Sequence, residues 1–193
     1  MRTVGVAAPD DQRARSWIGD GVEMLVARGL TGGGANAADA ALRAAALGAF
    51  MGCYRENLFV RSRLYPDAAA TLTTLRNRGV RLCCITNKLE ELADAVLRAA
   101  GIRESFEFVL GGDSLAEKKP SPLQLTTAAH RTGIEPARAA MVGDSHHDFH
   151  AARAAGFKFI WATYGYGTAI DAEPADAVVP IERFSALTAI VQH

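Results

Sequence analysis

Hydrophobic positions follow two different rhythms along the 193 residues. From Leu64 onward, short apolar runs alternate with amphipathic stretches. Val80–Ile85, Phe106–Leu110, Ala139–Val142 and Phe157–Trp161 are runs of strand length, and Val178-Val179 makes a shorter last one. Between them, helical spacing is predicted from Pro66 to Arg78, from Leu89 to Ala100, from the Lys118–Pro122 segment to a stop at Gly133, and from Asp148 to Ala155. A C-terminal helix is predicted from about Glu182. Strands alternating with helices at this interval predict a parallel, doubly wound sheet. Residues 1–63 lack that alternation. Met1–Val6 alternates weakly, and helices are predicted over Arg13–Ile18 and Val22–Gly29. A longer helix, capped by Asn36 or Asp39, is predicted to reach about Asn57. Its stripe of Leu42, Ala46, Ala49 or Phe50, and Cys53 or Tyr54 reads as a packing face.

Composition narrows the class. An apolar content of 49% supports a sizeable core, and 21 basic residues balance 21 acidic ones. That balance gives no electrostatic footprint for nucleic acid. Three cysteines, two of them adjacent in the Val80–Ile85 run, do not make a disulfide framework. No apolar run approaches the length of a membrane span and no signal-peptide pattern opens the chain, so a cytoplasmic protein with no membrane partner is expected.

The chemistry-bearing residues lie where the predicted strands end, which is where ligands bind in open α/β sheets. After Ile85 come the hydroxyl of Thr86 and the amides of Asn87 and Lys88. Before the helix that ends at Gly133 comes Lys119, fixed by the adjoining Pro120. After Val142 come Gly143, Asp144 and Asp148, the last two also readable as a turn residue and a helix N-cap. A hydroxyl, an ammonium group, two carboxylates and open helix N-termini together suit a phosphate group with Mg²⁺, which takes hard oxygen ligands and keeps several waters. His146 and His150, four apart, fall short of the three or four ligands that zinc wants, with no cysteine nearby in sequence, so His146, His147 and His150 read as loop and helix-surface residues at the rim of the site.

These segments, in this order, resemble the haloacid dehalogenase superfamily, and within it the phosphoglycolate phosphatases. Ile85-Thr86-Asn87-Lys88 resembles the second family motif, Lys119-Pro120-Ser121-Pro122 the third, and Gly143-Asp144-Ser145-His146-His147-Asp148 the fourth. Trp17-Ile18-Gly19-Asp20-Gly21 resembles the opening of the helical cap, and Tyr164-Gly165-Tyr166-Gly167 a segment after the last core strand. The resemblance implies a Rossmann-like α/β core over 64–193 and an all-helical cap over 1–63. It implies Mg²⁺-dependent hydrolysis of a small phosphorylated metabolite, 2-phosphoglycolate, through an aspartyl-phosphate. Thr86 and Asn87 would bind phosphate, Lys119 would bind phosphate and stabilise developing charge, Asp144 would bind Mg²⁺ directly, and Asp148 would support the metal or its waters. Ser145 and His147 are candidates for contacts behind the metal or with substrate. Oligomeric state, monomer or homodimer, is not specified.

The resemblance lacks one part. The family's first motif, a strand ending in Asp-x-Asp-Gly-Thr, has no counterpart; Asp10-Asp11 and Asp20 have the wrong spacing or place. About thirty residues, a strand, a loop and a helix, are expected to be missing. That removes the attacking carboxylate and the central strand, and it predicts unpaired inner edges on Val80–Ile85 and Ala139–Val142. Met1–Val6 or a neighbouring chain could fill the place, or the sequence is an abbreviated form of a longer chain. The alternatives are a catalytically dead phosphate- or Mg²⁺-binding or interaction module, and a metal-free dehalogenase, against which Asp144 with Asp148 counts.

Overall fold

Apolar runs in the second half of the chain become parallel strands because amphipathic helices separate each from the next. The computed structural model describes residues 9–32, 39–167 and 178–191. It divides into two compact units, Met1–Arg61 and Ser62–His193. Among the described residues, no helix is long and apolar enough to cross a membrane.

The first unit is helical: α1 (Asp11–Arg15), α2 (Val22–Thr31) and α3 (Ala40–Glu56). Asp39 caps α3 by accepting from the Ala41 N–H, while Asn36 lies outside the described residues. Among the described residues, Trp17, Val26 and Ala46 are its buried apolar side chains. The predicted packing stripe of α3 is only partly buried: Ala46 is covered, whereas Leu42 and Cys53 are exposed.

The second unit runs α4 (Ala68–Asn77), β1 (Cys84–Ile85), α5 (Glu90–Ala99), β2 (Val109–Leu110), α6 (Leu123–Thr132), β3 (Ala140–Gly143), α7 (His146–Ala155), β4 (Lys158–Ala162), β5 (Val178–Ile181) and α8 (Leu187–Ile190). Every paired strand is parallel, but the pairs form two sheets, β1-β2 and β3-β4-β5. Among the described residues, nothing pairs β1 with β3. The predicted six-residue strand Val80–Ile85 is laddered only over its last two residues, since it has one neighbour; upstream, Leu82 still accepts from the Glu107 N–H at 2.9 Å. The final helix begins later than Glu182, at Leu187, after a 3₁₀ turn over Phe184–Ala186.

Two apolar clusters cover the faces of the strands. Leu125, Phe149, Ala151, Ala152, Ala155 and Phe159 form one, with Ile85 and Met141 packed on it. Leu75, Ile160, Ile181 and Leu187 form the other, with Leu82 and Val142 packed on it. The two sheets therefore share both of their core layers.

Candidate active site

The C-terminal end of β1 delivers Ile85, then Thr86 and Asn87. Thr86 donates its N–H to the Leu110 carbonyl (3.0 Å), and its hydroxyl oxygen accepts from the Lys88 N–H (3.2 Å), which folds the turn. The Asn87 amide donates to the Lys119 carbonyl at 2.9 Å, so the loop before α6 is tied to the end of β1.

Lys119 is the centre of the arrangement. Its side chain is 7% exposed, unlike the exposed Lys118 beside it. The Lys119 ammonium donates to the Ile85 carbonyl at 2.8 Å and to Asp148 Oδ1 at 2.7 Å. A buried ammonium group needs such partners, because burial without them costs several kcal/mol.

Asp148 is not the N-cap of α7. Helical geometry begins two residues earlier, at His146, with Ser145 as N-cap and Asp148 as the third helical residue of a reciprocal capping box. Asp148 Oδ2 accepts from the Ser145 hydroxyl (2.6 Å), the Ser145 N–H (3.1 Å) and the Asp144 N–H (3.3 Å). Burial pushes the Asp148 carboxyl up. The Lys119 charge and hydrogen bond, with those from Ser145, outweigh burial and hold it below the ordinary aspartate value. A Cβ at Gly143 would come within 2.4 Å of the Asp148 side chain, so only glycine allows this close return of α7 onto β3.

Asp144 follows β3 and is held from a different direction. Its Oδ2 accepts from the backbone N–H groups of Tyr166 (2.7 Å) and Gly167 (3.2 Å). Its Oδ1 carries no hydrogen bond among the described residues. A Cβ at Gly165 would fall 2.3 Å from the Asp144 side chain, and one at Gly167 would fall 1.6 Å from its carbonyl oxygen. Tyr65 and Tyr164 stack edge-on beside this turn, ring centroids 4.8 Å apart. Burial, Tyr166 and the Asp144 carboxylate together push the Tyr65 phenol above its ordinary value.

Hydrogen bonds thus bring Thr86, Asn87, Lys119, Asp144, Ser145 and Asp148 to one end of the strands. His147 sits half-buried in the first turn of α7, while the rings of His146 and His150 stack at 6.2 Å on its exposed side. Among the described residues, no three His, Cys, Asp or Glu side chains converge as a ready-made metal cage. The sequence alone gives Tyr65 no role and does not tie Tyr164–Gly167 to Asp144. The alternation of Tyr and Gly just after β4 is the available signal.

A family model described as haloacid dehalogenase-like hydrolase matches residues 8–156. A phosphoglycolate phosphatase of Neisseria gonorrhoeae is 42% identical over 178 residues, covering 92% of this chain and 75% of that protein. One from Neisseria meningitidis is 44% identical over 165 residues, covering 86% and 70%. The crystal structure of a predicted phosphoglycolate phosphatase from Haemophilus somnus 129PT superposes with a TM-score of 0.87 at 29% identity, over 99% of this chain and 86% of that one. CbbY from Rhodobacter sphaeroides, solved in complex with phosphate, gives 0.78 at 26% identity, over 96% and 84%. The chain belongs to the haloacid dehalogenase-like hydrolases.

Proposed function

We propose that this hydrolase is a Mg²⁺-dependent phosphomonoesterase of the phosphoglycolate phosphatase type, converting 2-phosphoglycolate and water to glycolate and phosphate. One observation carries the reading. The buried Lys119 ammonium is tied at once to the end of β1 and to the first turn of α7, gathering cation, hydroxyl and carboxylates at one rim. The names of the Neisseria relatives support the substrate. Residues 1–63 are assigned as the helical cap and 64–193 as the core.

The residues fit the metal in part. Asp144 presents one carboxylate oxygen without a hydrogen bond among the described residues, and Mg²⁺ is served by one or two carboxylates with waters and phosphate oxygens completing the shell. Both oxygens of Asp148 are already engaged, so it supports the region by holding Lys119, Ser145 and the Asp144 N–H. When bound, Mg²⁺ would neutralise charge on the phosphoryl oxygens. Thr86 and the Asn87 N–H would bind phosphate oxygens, and Lys119 would offset the charge that grows on them. His147 is placed for substrate contact.

The attacking carboxylate is neither of these acids. Asp10 caps α1 and Asp20 pairs with Arg28 at 2.5 Å, so neither is assigned that role. Turnover then needs a carboxylate brought to Lys119 from outside the described residues. The inner edges of β1 and β3, unpaired among the described residues, favour a second reading, a module that binds phosphate and Mg²⁺ without turnover. Phosphate release from 2-phosphoglycolate with Mg²⁺ tests both. Release that is lost in Asp144→Asn supports the hydrolase. Magnesium-dependent phosphate binding without release supports the module, and neither binding nor release defeats both.

A further inference from the structure

We propose that Tyr65 is a positioning residue for Asp144: through its edge-on ring contact with Tyr164, it clamps the Tyr164–Gly167 turn that orients the Asp144 carboxylate. The clamp stands on contacts within the second unit, and its consequence for Mg²⁺ rests on the role proposed above for Asp144. The carboxylate needs such a device. Among the described residues, its Oδ2 accepts from the Tyr166 and Gly167 N–H groups alone, at 2.7 and 3.2 Å, and these two bonds set the direction in which Oδ1 points. Both donors belong to exposed residues, Tyr166 being 65% exposed. Exposed backbone hydrogen bonds open easily to water unless something else holds the turn.

Tyr65 supplies that hold. Its ring meets the Tyr164 ring with centroids 4.8 Å apart and planes inclined at 70°, the edge-to-face geometry in which aromatic pairs attract beyond their burial. Its hydroxyl donates to the Tyr164 carbonyl at 3.4 Å, a long contact that adds less. The Tyr166 side chain hydrogen-bonds the same phenol. Tyr65 therefore touches the turn on both sides of Gly165, the residue whose missing Cβ lets the turn lie against the Asp144 side chain. Burial, then Tyr166, then the nearby Asp144 charge push the phenol up, which places the ring within electrostatic reach of the carboxylate.

The clamp is itself anchored in the core. The Tyr65 carbonyl accepts from the Ala68 N–H at 3.2 Å, at the start of α4. Pro66 fixes the chain between them. Asp67 then makes the bend at φ 61°, a left-handed conformation uncommon outside glycine. α4 buries Leu72 and Leu75, and Leu75 packs with Ile160 of β4. The turn leaves the C-terminal end of that same strand, where the Thr163 N–H donates to the Ile181 carbonyl at 3.0 Å and the Gly165 N–H to the Ala162 carbonyl at 3.1 Å. A packed helix thus carries Tyr65 to a fixed place beside the end of β4, and the exposed turn takes its rigidity from there.

The test compares Tyr65→Leu, which removes the ring pair, with Tyr65→Phe, which keeps it, both in the full chain. An aromatic pair of this kind corresponds to roughly a two- to tenfold change in an equilibrium. Without metal, hydrogen exchange at the Tyr166 and Gly167 amides is expected to rise at least about threefold in Tyr65→Leu and to stay within about twofold of wild type in Tyr65→Phe. Amides of α6 and α7 are expected to change by less than about twofold in both variants. In calorimetry, the gain in inorganic phosphate affinity on adding Mg²⁺ is expected to fall about three- to tenfold in Tyr65→Leu and to be kept in Tyr65→Phe. Unchanged exchange in Tyr65→Leu, an equal rise throughout α6 and α7, or an equal effect of Tyr65→Phe overturns the proposal. So does a wild-type Mg²⁺ response that persists in full in Tyr65→Leu. A wild type with no Mg²⁺ response defeats the metal reading of Asp144, and the exchange result then decides the clamp by itself.

Discussion

Replacing Lys119 by methionine tests the electrostatics of the rim directly. In the native chain Lys119 and Asp148 are 7% and 8% exposed and share a 2.7 Å contact. Methionine keeps most of the stem volume but leaves Asp148 Oδ1 buried beside no cation. Removing one member of a buried pair typically costs about 3–5 kcal/mol, because the remaining charge is uncompensated. That is a large fraction of a domain stability of about 5–15 kcal/mol. The pH dependence has a definite sign. Asp148 is held below its unfolded value, so its stabilising contribution is complete above about pH 4 and is lost as pH falls through the lower native value. Without Lys119 the carboxyl titrates higher, so the penalty is full near pH 7 and shrinks in acid. Urea unfolding of wild type and Lys119→Met between pH 3 and 7 measures this. Addition of Asp148→Asn to the variant is expected to recover part of the loss. A variant within about 1 kcal/mol of wild type at pH 7, or a difference independent of pH, refutes the reasoning.

Other outcomes follow from the same contacts. Ser145→Ala removes the cap of α7 and one hydrogen bond to Asp148, and urea unfolding should show a loss of about 0.5–2 kcal/mol. Leu125→Ala empties a fully buried position in the cluster under β1 and β3, with an expected loss of about 2–5 kcal/mol by the same measurement. Gly165→Val forces the Tyr164–Gly167 turn off Asp144 and should weaken magnesium-dependent phosphate binding at least tenfold in calorimetry, while α6 and α7 keep their hydrogen-exchange protection.

Much of the second unit was legible in the sequence, since strands buried on both faces announce themselves as continuous apolar runs. Their paired lengths were not, because a ladder depends on a neighbour far away in the chain. Val80–Ile85 pairs only where β2 reaches it. The start of α7 was misplaced for a local reason. Ser145 and Asp148 are both competent caps, and the serine takes the cap while the aspartate closes the box from the third position. In the first unit, helical spacing in α3 was visible but its expected packing face is only partly covered: Ala46 is buried, while Leu42 and Cys53 are exposed. At the rim, residue types at strand ends pointed to Thr86, Lys119, Asp144 and Asp148. What holds Asp144 in place was hidden, because its Oδ2 accepts from N–H groups more than twenty residues downstream, at Tyr166 and Gly167.

The central claim is that Thr86, Lys119 and Asp144 hold one phosphoryl group together with Mg²⁺. Calorimetric titration of inorganic phosphate into the full chain, with and without Mg²⁺, and into Asp144→Asn, tests it most directly. The account predicts binding that strengthens at least tenfold with Mg²⁺ in wild type and loses that dependence in the variant. Phosphate affinity unchanged by the metal, or equally enhanced by it in Asp144→Asn, would contradict the claim.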